Sequence, residues 1–247
     1  MTGYNEAFII NGETKDRLIK EDAKSAEIIR PILRGRDIKR YGYEFADLWL
    51  IATFPSLKID IDKYPAVKAH LLSFGMERLE QTGNEHLVNG EKIKARKKTN
   101  NKWFETQDSI SYWEDFFKQK IVWKAVGRNL AFSLLEEGSF ITAPASFITS
   151  NQNLYLLGFL CSSFAKYYIL NNSDTTGAGD VMLNIQSLSS IPIPIPDKNE
   201  QITKLVQQII DDKSKVESTI KLESKINEIV NDLYGFTKEE IAFIDSQ

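Results

Sequence analysis

Six cations fall within eleven residues at Lys92, Lys94, Arg96, Lys97, Lys98 and Lys102, with Glu91 the single acid beside them. Aromatic side chains follow at Trp103, Phe104, Tyr112 and Trp113, and Asn100 and Asn101 interrupt any regular period, which predicts a loop. Cationic groups on such a loop can neutralise successive phosphates of a duplex, while Arg, Lys and Asn side chains can reach base edges. The competing reading is a solvated surface loop. A second basic run, Arg30, Arg34, Arg36, Lys39 and Arg40, is opposed only by Asp37 and bent by Pro31 and Gly35. Phosphate contacts and internal salt bridges explain that run equally well. Lys118, Lys120, Lys124 and Arg128 add cations around a strand that ends at Val126. The candidate contact set is therefore Lys92, Lys94, Arg96, Lys97, Lys98, Asn100, Asn101, Lys102 and Trp103, then Arg34, Arg36, Lys39 and Arg40, then Lys124 and Arg128.

Catalytic patterns are sparse by comparison. Transfer of a methyl group to an exocyclic amine needs a polar residue followed by Pro-Pro and an aromatic, and none of the seven prolines adjoins another. Gly177-Ala178-Gly179 lacks the third glycine and the preceding strand of a nucleotide-binding turn. Asp212 with Glu223 and Lys225 has the spacing of a magnesium nuclease, but all three lie in a helical tail where surface charge is expected. Two histidines and one cysteine, Cys161, cannot build a zinc cluster or an internal disulfide, and the lone thiol suits a reducing cytosol. His70 has no catalytic companion, and Tyr155, Phe159, Phe164, Tyr167 and Tyr168 at helical spacing read as core. The chain is read as non-catalytic by itself.

The elements that would position the cations follow from period and punctuation. The 247 residues are 42% hydrophobic and 26% charged, the balance of a folded domain. Net charge is −3, but residues 1–196 carry 24 cations against 23 acids and residues 197–247 carry 7 against 11. In the body, Ala7–Ile10, Leu48–Ile51, Lys120–Trp123 and Phe140–Thr142 predict strands, and Lys63–Glu80 and Leu154–Leu170 predict helices. Leu154–Leu170 is interrupted and short for a membrane span, so a buried helix is expected. Strands and helices do not alternate strictly, which favours an α+β mixed-sheet body. Ile191-Pro192-Ile193-Pro194-Ile195-Pro196 must run extended, and its isoleucines predict that it lies against a surface. Beyond it, apolar steps of three and four predict two helices or one long one, a stop at Gly235 and a capping box at Thr237 and Glu240. The expected division is a domain over residues 1–196 and a helical segment over residues 197–247, packing on the body or a partner.

Six segments, in order, resemble the TaqI-like C-terminal specificity domain of type IIG restriction-modification enzymes and adenine-specific DNA methyltransferases. They are Thr2–Ile10, Pro31–Ile38, Trp103–Gln107, Lys120–Trp123, Ile191–Pro194 and Leu233–Ile241. The resemblance spans nearly the whole chain. It implies a target-recognition domain that grips double-stranded DNA and reads a short site. The chemistry would come from an accompanying methyltransferase or endonuclease domain or subunit. No cofactor is expected in this chain; S-adenosylmethionine and magnesium would belong to the catalytic domains. The chain opens where the family's methyltransferase would end, as expected of a piece, a truncated product or a separate subunit. The family's base-reading residues change with the target, so the candidate set rests on charge and loop character alone. The alternative functions are a helical protein-interaction module and a type I-like specificity subunit, whose proline-rich exit is similarly followed by Glu200-Gln201 and a helix. The expected compartment is cytoplasmic, with no membrane partner.

Overall fold

A computed structural model describes residues 2–194, 200–212 and 216–247. In chain order, the first elements are α1 (Asn5–Phe8), β1 (Ile9–Asn11), α2 (Gly12–Glu21), β2 (Ile29–Leu33), β3 (Ile38–Lys39), β4 (Gly42–Tyr43) and β5 (Leu48–Ile51). Then come α3 (Pro65–Leu72), α4 (Met76–Leu79), β6 (Glu85–Val88), β7 (Glu91–Lys94), β8 (Lys120–Lys124), β9 (Val126–Gly127) and β10 (Phe132–Leu135). Next are β11 (Phe140–Ile141), β12 (Ala145–Ile148), α5 (Asn153–Leu160), α6 (Ser163–Asn172), β13 (Val181–Met182) and α7 (Ile185–Ser189). The chain ends with α8 (Glu200–Asp211), α9 (Val216–Tyr234) and α10 (Lys238–Asp245). The mixture of separate sheets and helices is α+β, as the pattern predicts.

Two compact units share these elements. The first takes Met1–Leu33, Phe45–Phe117 and Gly138–Thr142; the second takes Arg34–Glu44, Lys118–Glu137 and Ala143–Gln247. In the first unit a four-stranded sheet runs β1-β5-β2-β11, antiparallel except for the parallel pair β2–β11. Phe8, Leu18, Ile51, Val67 and Leu71 are buried in this unit, and Phe116 stacks on Phe140 at 4.2 Å between centroids. Ala7–Phe8 form a helical turn rather than the predicted strand, and only Ile9–Asn11 pair with β5. Both Ala7 and Phe8 are fully buried. The predicted helix over 63–80 is broken in two. Pro65 opens α3 at its first turn, and Gly75, at φ +88°, breaks the chain before α4.

The second unit is built on the antiparallel sheet β10-β8-β12. Trp123 and Phe132 on this sheet join one hydrophobic core with Tyr155, Phe159, Ile202, Val206, Ile226 and Val230. The apolar run at 154–170 lies in that core, but it forms two helices. Ser162 interrupts it, its hydroxyl accepting from the Ala165 amide at 3.1 Å as the cap of α6. Gly158 lets α8 approach α5 closely: a Cβ there would stand 2.6 Å from Ile202 Cγ2 and 2.7 Å from Val206 Cγ2. Ile191 is buried and Ile193 packs on the same core. The Tyr155 and Tyr234 hydroxyls donate to the Pro194 and Pro192 carbonyls, so Ile191–Pro194 lies on the unit's surface as predicted. Ile195, Pro196 and the predicted seam interruption at Lys213 lie outside the described residues. The tail forms separate helices, Gly235 follows α9 at φ +66°, and Thr237 and Glu240 make a reciprocal capping box. Among the described residues no helix is long and apolar enough to cross a membrane.

Candidate nucleic-acid interface

The first basic run belongs to the first unit, and only part of it is a loop. Lys92 and Lys94 sit on β7, which pairs with β6 as an antiparallel hairpin in the register Glu85↔Lys94 and Leu87↔Lys92. Asn89 and Gly90 form its turn, at φ +52° and +84°, the handedness a type I′ turn requires. The Asn89-Gly90 pair is a hairpin signal that the sequence carries and that the charge-based reading of this stretch missed. The hairpin root continues through Ala95 N–H to the Asn84 carbonyl and Gly83 N–H to the Arg96 carbonyl, at 2.9 and 2.8 Å.

Arg96 locks that root. It is 4% exposed, and its guanidinium donates to the carbonyls of Leu79, Thr2, Glu105 and Trp103. Burial pulls its pKa down to about 10, which leaves it charged at neutral pH. A fork with five donors suits several converging carbonyls, whereas a single ammonium does not. Gly3, at φ +80°, makes room for this arrangement, because a Cβ would stand 3.0 Å from Arg96 Cδ. Gln81 works alongside it, donating to the Lys102 and Glu105 carbonyls and accepting from Thr99 Oγ1. Asn101 is likewise committed, its amide donating to the Thr106 and Gln107 carbonyls at 3.2 and 3.0 Å. Gln81 and Thr99 carried no signal in the sequence, and Thr2 and Gly3 entered only through the Thr2–Ile10 resemblance, because the Thr2 carbonyl meets Arg96 across ninety-four residues.

These struts support a run of exposed cations. Lys92, Lys94, Lys97, Lys98, Asn100 and Lys102 are all exposed. Among the described residues Lys92, Lys94, Lys97 and Lys98 have no acidic partner. The Lys102 ammonium lies 5.5 Å over the Phe104 ring, and Trp103 is half-buried edge-on to Phe104.

The remaining candidates belong to the second unit. Arg34 makes a two-pronged pair with Asp37, at 2.9 and 2.7 Å. Burial pushes the Asp37 carboxyl up, but the Arg34 hydrogen bonds outweigh it and hold the pKa below the usual carboxylate value. Arg40 donates twice to Glu223 and once to the Cys161 carbonyl. Glu223, one of the two acids of the nuclease-like pattern, is therefore an ion-pair partner that ties α9 to the turn between β3 and β4. Lys39 pairs with Glu44 at 3.5 Å, and Arg128 with Asp180 at 3.7 Å. Arg36 and Lys124 are exposed, and Gly35 allows the Lys124 side chain to pass close, 3.2 Å from where a Cβ would stand. Lys120 is buried, its ammonium donating to the Lys118 and Glu136 carbonyls. Burial pulls it down to about 8. Among the described residues, no group of three or more His, Cys, Asp or Glu side chains could hold a metal ion.

Residues 30–193 match the model of the TaqI-like C-terminal specificity domain. The chain is 28% identical over 242 residues to the type II methyltransferase M.MjaIV of Methanocaldococcus jannaschii, covering 93% of this chain and 75% of that protein. Among solved structures, the type IIL restriction-modification enzyme MmeI in complex with DNA superposes with a TM-score of 0.63 at 12% identity. That superposition covers 98% of this chain and 34% of MmeI, so the chain spans about a third of the MmeI length and shares its fold there. The type IIG restriction endonuclease BpuSI gives a TM-score of 0.44 at 15% identity, over 92% of this chain and 28% of that one. Because the family match runs from β2 through the Ile-Pro segment, most of its length, the chain belongs to the TaqI-like C-terminal specificity domain family.

Proposed function

We propose that this chain is the target-recognition part of a restriction-modification adenine-specific DNA methyltransferase or endonuclease, binding double-stranded DNA without catalysing a reaction itself. The observation that carries the reading is the run of exposed lysines Lys92, Lys94, Lys97, Lys98 and Lys102, on a hairpin and loop whose backbone is fixed by the buried Arg96 and Gln81. Exposed lysines with no acidic partner among the described residues suit phosphates, which fix register, while the exposed Asn100 can meet a base edge. In the second unit Arg36, Lys124 and Arg128 supply further phosphate contacts. Arg34, Arg40, Arg96 and Asn101 act instead as internal struts, and Lys39 and Trp103 border the contact surfaces. Membership of a specificity-domain family, and the likeness to a methyltransferase and to an enzyme solved with DNA, support this assignment. On this reading S-adenosylmethionine and magnesium are handled by accompanying catalytic domains.

Charge reversal tests it. Lys97→Glu with Lys98→Glu should weaken duplex binding at least tenfold in an anisotropy titration, since each lost phosphate contact also leaves a repelling charge. Unchanged affinity in that double variant would contradict the assignment.

A further inference from the structure

We infer that the β6–β7 hairpin is a two-stranded ribbon that enters the DNA major groove and packs Leu87 against a thymine methyl group. The inference rests on the DNA-binding reading above and names one specificity-determining residue within it. Leu87 is 74% exposed, the most exposed large apolar side chain among the described residues. It does not stand on an apolar surface. The register Leu87↔Lys92 and Glu85↔Lys94 puts both lysines and Glu85 on its own face of the ribbon, leaving that face net positive, while on the opposite face His86, Val88 and Ile93 are half-buried and Glu91, beside the turn, is exposed. Cross-strand neighbours lie about 5 Å apart, so Leu87 and the Lys92 stem are in direct reach of one another.

Covering a leucine that is 74% exposed removes apolar surface from water and is favourable. Its cover must accept positive charge around an apolar spot, and the thymine edge of a major groove does so. The 5-methyl group is the apolar feature that marks an A·T pair there, with phosphates on both flanks. The major groove is wide enough for a two-stranded ribbon. The Asn89–Gly90 turn keeps the ribbon short and pre-twisted, and Lys97 and Lys98 follow its root, where they would meet the backbone as the tip enters.

The test uses the 247-residue chain and alters the DNA before the protein. After selection of a preferred site from random duplexes, each thymine is replaced in turn by deoxyuridine, which removes only the methyl group. Affinities are then measured for the wild type and for Leu87→Ala. The expected result is a loss of about three- to fourfold at one or two thymines for the wild type, the value of one buried methyl. Leu87→Ala should bind the thymine and uracil duplexes alike at those positions. Three results would overturn the inference while salt-dependent binding keeps the broader reading alive. These are indifference of the wild type to every uracil, an equal uracil penalty in Leu87→Ala, and a selected site without thymine. A Leu87→Ala loss with no uracil effect would indicate insertion between base pairs instead, and also overturns it. Absence of binding to any duplex would remove both readings together.

Discussion

Arg96 and Lys97 are adjacent and carry the same charge, yet they do different work. Arg96 serves four carbonyls inside the first unit, whereas Lys97 points into solvent with no acidic partner among the described residues. Arg96→Ala should therefore cost about 2–4 kcal/mol of stability in urea denaturation, because it strands buried carbonyls. Lys97→Gln should stay within about 0.5 kcal/mol of the wild type. Equal stability losses would contradict the distinction. Lys120 gives a second prediction, in pH. Its folded pKa, about 8, lies below the unfolded value of about 10.4. The unfolded chain then binds more protons between these values, so this lysine makes stability rise as pH increases from about 8 toward 10.4. The wild type should gain on the order of 2 kcal/mol over that window relative to Lys120→Met, read from urea midpoints at successive pH values. A constant difference between the two proteins would show that the burial penalty is absent.

At the scale of elements, Gly158 marks where α5 and α8 come closest. Alanine is favoured over glycine inside a helix by about 1 kcal/mol, so helix propensity alone predicts that Gly158→Ala stabilises. The opposite sign is expected here. A methyl 2.6 Å from Ile202 and 2.7 Å from Val206 must push α8 outward, for a net loss of about 1–2 kcal/mol in denaturant unfolding. Elements with strong local signals were legible in the sequence: the Leu48–Ile51 and Lys120–Trp123 strands, the proline at the start of α3, the capping box at Thr237 and the extended Ile-Pro segment. Breaks inside long apolar runs were less so. Gly75 and Ser162 are single residues whose turn-forming role shows only when the neighbouring side chains compete for the core. The candidate site was legible as charge and illegible as architecture. A run of cations does not say which member faces inward, and Arg96 turns inward because the fold brings the carbonyls of Leu79, Thr2, Glu105 and Trp103, seven to ninety-four residues away, to one place.

For the whole molecule, a net charge of −3 describes neither end of the chain. The last 51 residues hold a surplus of four acids, and several of their charges sit on helices whose apolar faces are packed. The body is nearly neutral, and five of its exposed cations, Lys92, Lys94, Lys97, Lys98 and Lys102, lie close together in sequence on the hairpin and the loop that follows it. Binding driven by such a local footprint is predicted to depend on salt regardless of the global pI. The most direct measurement is the affinity of the 247-residue chain for duplex DNA as a function of salt. The predicted result is a straight decline of log affinity with log salt, its slope made shallower by about 1.8 when Lys97 and Lys98 are both replaced by glutamine. A flat dependence, or a slope that the double replacement leaves unchanged, would contradict the account.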